Sequence, residues 1–107
     1  MAKYLITGSY TQSGIEGVLK DGGTGRVRAV EALTASLGGS LESFYFAFGS
    51  NDFYVTVDLP GGNTAAAGVA ATIGATGAVS TQTIVLLSPE EMGEAVKLHP
   101  TYRAPGA

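Results

Sequence analysis

The sequence predicts an α+β fold: a four-stranded antiparallel sheet with two helices on one face, in the order β-α-β-β-α-β, plus a short C-terminal helix. Three observations carry this expectation. Leu41–Pro60 holds two runs of alternating side chains joined by Gly49-Ser50-Asn51-Asp52, the pattern of a β-hairpin. Val27, Val30, Leu33 and Leu37 recur at helical spacing. Ser88-Pro89-Glu90-Glu91 combines a cap residue, Pro at the first helical position, acids in the first turn and Glu three residues after Ser, which marks a helix start with a capping box.

Bulk properties bound the functions to consider. The 107 residues suffice for one domain with a real core, expected to span 1–107 with 99–107 as an extended tail. The absence of Cys removes disulfides, thiolate metal sites and a Cys nucleophile together. A net charge of −3 with few charged residues supplies no basic field for a phosphate backbone, so no nucleic-acid partner is expected. The N-terminal MAKYLITGSY is neither a signal peptide nor a membrane span. No membrane association is expected, and a cytoplasmic protein is the default. The 16 Gly point to tight turns and close helix packing, because the strands beside them are strongly apolar.

Taken in order, Lys3 to Tyr10 reads as a first strand, with Tyr4 and Ile6 on one face and Leu5 and Thr7 on the other. Apolar residues on both faces predict a central position. Thr11 or Ser13 can cap the following helix, whose first apolar positions are Ile15, Val18 and Leu19. Gly22-Gly23 interrupts it, so a break is expected between Asp21 and Thr24. The stripe then resumes until Gly38-Gly39 ends it.

In the hairpin, a four-residue loop over Gly49–Asp52 sets Phe48 opposite Phe53. Phe44, Phe46 and Phe48 then share a face with Phe53, Val55, Val57 and Leu59, and this face is read as core. The other face carries Ser43, Tyr45 and Ala47 beside Tyr54, Thr56 and Asp58. Pro60-Gly61-Gly62 makes a turn, with Asn63 or Thr64 as the cap of a second helix. That helix, TAAAGVAATIGATG, is so small that it must lie close to the sheet. Ala78 to Leu87 is the fourth strand, with Ile84 and Leu86 on one face and Thr83, Val85 and Leu87 on the other. The last helix runs from Ser88 to about Leu98.

This order is the ferredoxin-like split βαβ arrangement. Both helices cover the Phe/Val face, which leaves Tyr45 and Tyr54 uncovered. A second copy is the simplest cover. The expected partner is therefore the chain itself, as a homodimer or higher multiple, with Tyr102 and Pro105 of the tail reaching across.

AKYLITGSYT at the start, GSLESFYFAFGSNDFYVTVDLP in the middle, and AVSTQTIVLLSPEEM followed by YRAPG resemble the GYD-domain family of small, largely bacterial and archaeal proteins. The resemblance spans essentially the whole chain. It implies a ferredoxin-like fold of the dimeric α/β-barrel type and assigns no activity. Gly49, Ser50 and Asp52 fit the family's Gly-x-Tyr-Asp element at the hairpin turn, while Asn51 stands where Tyr is usual.

Four residues are candidate ligand-binding groups: Tyr45, Tyr54, Asp52 and Asp58. The tyrosines suit an interface, or the walls of a small-ligand pocket whose orientation their hydroxyls set. Asp52 suits an Asx-type bond to nearby backbone N–H groups, or a base at the mouth of a cleft. Asp58 suits a solvated edge carboxylate or an inter-subunit salt bridge. His99, the only histidine, cannot form a metal cluster alone and suits a structural or surface role. Arg26, Arg28 and Arg103 suit a solvated helix face and a tail, with anion binding as their functional reading. Gly22, Gly23 and Gly25 lack the strand and the Gly-Lys-Ser/Thr run of a phosphate loop. No cofactor or metal is implied. The expected function is an oligomeric ligand-binding or interaction module using the open sheet face. The alternative is a small enzyme of proton transfer or isomerisation in a sheet-face cavity.

Overall fold

A computed structural model describes residues 2–107. Its elements are β1 (Lys3–Tyr10), α1 (Gln12–Ser36), β2 (Ser40–Phe46), β3 (Phe53–Asp58), α2 (Gly62–Gly74), β4 (Val79–Leu86) and α3 (Pro89–Val96). The sheet order is β2-β3-β1-β4, antiparallel at every pairing. This is the expected ferredoxin-like arrangement. The sheet is open, with β2 and β4 as its edges, so the barrel expectation is corrected: the chain does not close a barrel. Among the described residues, no helix is long and apolar enough to cross a membrane.

Local chemistry explains the helix boundaries. The Thr11 hydroxyl accepts from the Gly14 N–H and caps α1. Gly22 takes φ 73° and ψ 171°, which breaks α1 at the expected place. At its other end Gly38 has φ 72°, and the N–H groups of Gly38 and Gly39 bond the carbonyls of Ala35 and Thr34. That pair of bonds is a Schellman motif, and glycine fits its left-handed position without a Cβ penalty. The start of α2 differs from expectation. Gly61 occupies the N-cap position without a side-chain bond, because the Asn63 side chain is used elsewhere: its Oδ1 accepts from the buried Tyr4 hydroxyl at 2.7 Å. The capping box of α3 forms in both directions between Ser88 and Glu91. Hydrogen bonding to Ser88 holds the exposed Glu91 carboxyl below its ordinary pKa.

The core lies between the helices and one sheet face. It comprises Tyr4 and Ile6 from β1, Phe53, Val55 and Val57 from β3, Leu59, and Ala66 and Val69 from α2. The hairpin register differs from the expected one by two residues: Phe46, not Phe48, faces Phe53. Asp52, just before β3, is drawn into the pairing, since its N–H bonds Gly8 O at 2.7 Å and its carbonyl accepts from Ala47 N at 2.8 Å. The loop is therefore residues 48–51. An even shift keeps the faces, so Phe44 and Phe46 share a side with Phe53 and Val55.

Burial does not follow the whole row, however. Phe46 is 43% exposed and Phe48, in the loop, fully exposed at 108%, so the expectation that both are core is corrected. A bulge between Leu41 and Ser43 adds a residue to β2 and puts Leu41 opposite Val57, against the core.

The C-terminal part stands away from this body. Every residue of α3 except Gly93 is exposed, as is the whole of 97–107. The radius of gyration is 16.7 Å, against about 13 Å for a compact chain of this length. α3 ends at Val96, two residues before the expected Leu98.

Candidate functional site

The open face comes directly from the strand pairing. Leu5 and Thr7 of β1, Tyr54 and Thr56 of β3, Ser43 and Tyr45 of β2, and Gln82 and Ile84 of β4 alternate away from the helices. Tyr45 pairs directly with Tyr54, and Tyr45 is 70% exposed. Asn51 donates from Nδ2 to the Tyr54 hydroxyl at 3.3 Å. Ile84 and Tyr54 are also exposed, so this face presents an apolar patch with hydroxyl tips.

The two carboxylates flank that patch at opposite ends of β3. Asp52 Oδ2 accepts from Tyr10 N at 2.9 Å, a bond to a strand 42 residues earlier in the chain rather than to its own turn. The side chain bonds backbone as expected, but it latches the hairpin to the end of β1. Asp58, at the other end of β3, is 4% exposed, so the solvated reading is corrected. β3 lies between β1 and β2, with Lys3 on one side of Asp58 and Ser40 on the other. Lys3 reaches across β3 to pair with Glu42. The Glu42 bond, with the Asp58 charge nearby, raises the Lys3 pKa. Among the described residues, Asp58 Oδ1 has no hydrogen-bond partner. At about 3.3 Å per residue, Asp52 and Asp58 are roughly 20 Å apart along the strand, so no single ligand of ordinary size meets both.

A second region lies on the helix side. α1 packs over β2 and β1 while α2 packs over β4, and the two helices hardly touch. Between them runs an apolar cavity of about 50 Å³, floored by Ile6, Phe53 and Val55 and walled by Val30, Leu33 and Ile73. It meets a wider cavity of about 210 Å³ that includes Ser13, Gly17, Asp21 and Thr76. Tyr10 and Arg26 line both. Tyr10 also packs against Phe53, centroids 5.3 Å apart. Burial pushes the Tyr10 hydroxyl's pKa up, and the nearby Arg26 pulls it the other way. Arg26 is half-buried and approaches Asp21 at 3.9 Å.

The family described as GYD domain matches residues 4–96, nearly the whole chain. The chain belongs to the GYD-domain family. No curated protein and no solved structure matches it. In this GYD domain the hairpin loop presents Asn51 to Tyr54, and Asp52 is anchored on β1. Two of its residues escaped the sequence reading as a pair, Tyr10 and Arg26. Arg26 reads as part of a solvated helix face, yet it lies four residues before Val30 and seven before Leu33, which puts all three on one face of α1 after the break. The signal was that spacing itself, since positions i, i+4 and i+7 share a helix face. Arg28, Arg103 and His99 are exposed.

Proposed function

We propose that this GYD-domain protein is a self-associating interaction module whose open sheet face is closed by a second copy. The observation that carries the reading is the patch of Tyr45, Tyr54 and Ile84 on a face that no helix of its own chain covers. A two-fold pairing of identical faces would bury it. The projecting arm supports the same occupant. Met92, Val96, Leu98 and Tyr102 are exposed apolar groups on a segment that packs little on its own body. An arm of this kind gains its contacts on another subunit, with Tyr102 and Pro105 furthest out.

The proton-transfer reading draws its candidate groups from Tyr45, Tyr54, Asp52 and Asp58. The latch role of Asp52 and the distance between the carboxylates favour assembly instead. Light scattering at micromolar concentration tests the proposal. The expected result is a dimer or a multiple of it, shifted toward monomer by Tyr45→Asp, which sets a charge in the interface. A monomeric wild type would overturn it.

A further inference from the structure

The helix-side cleft has an internal chemistry of its own, independent of how the sheet faces pair. Its deep part is lined almost wholly by aliphatic and aromatic side chains, while its mouth gathers a guanidinium, a phenol hydroxyl and a carboxylate. We propose that this cleft binds a small amphipathic carboxylate, with the apolar body between α1 and α2 and the head group on Arg26.

Three features argue for that ligand. Arg26 is a planar donor suited to bidentate carboxylate binding. Its ion pair with Asp21, at 3.9 Å, is too long to satisfy its donors. Tyr10 stands beside it, an O–H donor whose ring is part of the apolar wall. Asp21 is the competing anion, but its side chain is about half exposed and sits just before the break at Gly22, so a ligand carboxylate can take its place while Asp21 turns to water. The cavities, about 50 and 210 Å³, fall toward or below the ~300–1,000 Å³ of sites for drug-sized molecules. The body is therefore that of a short chain or a single ring.

Glycine keeps the mouth open. Gly17 lines the wider cavity, and no atom lies within 4 Å of where its Cβ would sit. Leucine there would occupy the entrance and improve helix propensity, so it blocks without a fold penalty.

The test uses octanoate, octanol and octylamine, which share a body and differ in head group, titrated calorimetrically into the full chain. Octanoate is expected to bind at least about tenfold tighter than octanol, the advantage of one charge-assisted hydrogen bond. Arg26→Gln should remove that difference with an unchanged melting temperature, and Gly17→Leu should abolish binding without lowering it. No octanoate binding at millimolar concentration would overturn the proposal. So would a preference for octylamine, which would give the head-group site to Asp21, or octanoate binding unaffected by Gly17→Leu.

Discussion

β3 runs through the middle of the sheet and β2 along its edge. Toward the helices β3 carries Phe53, Val55 and Val57, and the β2 run carries Phe44, Phe46 and, in sequence, Phe48, so their patterns look alike. Their burial does not. Phe53, Val55 and Val57 of β3 are buried, with strands on both sides and the cleft walls above. Phe44 is half-buried, and Phe46 leans on the α1 break, where a Cβ on Gly23 would meet its ring at 3.3 Å. Phe48 has left the strand altogether. The difference teaches that alternation assigns a face, while burial depends on what stands over that face. Only α1 covers β2, and its break falls where the outer end of the edge strand would need a lid.

Three truncations test that comparison, measured by urea unfolding. Phe53→Ala removes a buried ring that touches Tyr10 and Phe44, and its expected cost is about 3–5 kcal/mol. Phe46→Ala removes a ring only part buried, in contact with Phe44 at 5.0 Å. Its expected cost is about 1–2 kcal/mol, scaled from the transfer energy of a fully buried side chain. A cost equal to that of Phe53→Ala would mean that the edge is covered in solution. Phe48→Ala is expected within about 0.5 kcal/mol of wild type, as for surface positions. A larger loss would return Phe48 to the strand and break the two-residue shift in register.

The candidate site was legible in part. Tyr45 and Tyr54 fall on the uncovered face because period-two alternation and the element order suffice to put them there. Asp52 as a backbone-bonding residue was legible by type, but its partner was not, since Tyr10 is 42 residues away. Asp58 is buried on β3, a strand that the Lys3–Glu42 bridge spans from its neighbours on either side. Nothing in the local sequence around Asp58 announces such a bridge.

Element order, side-chain faces, the break at Gly22, the turn at Gly38-Gly39 and the Ser88 capping box are determined by the sequence itself. Each rests on backbone geometry or on bonds between residues a few positions apart. The hairpin register, the bulge that brings Leu41 inward, the second use of Asn63 and the cleft shared by Tyr10 and Arg26 were decided only in the tertiary structure. Each depends on a group from another element arriving opposite. Asp52 pairs with Gly8 instead of staying in the turn because β1 offers it a carbonyl and an N–H together, and a chain read along its own length carries no sign of that offer.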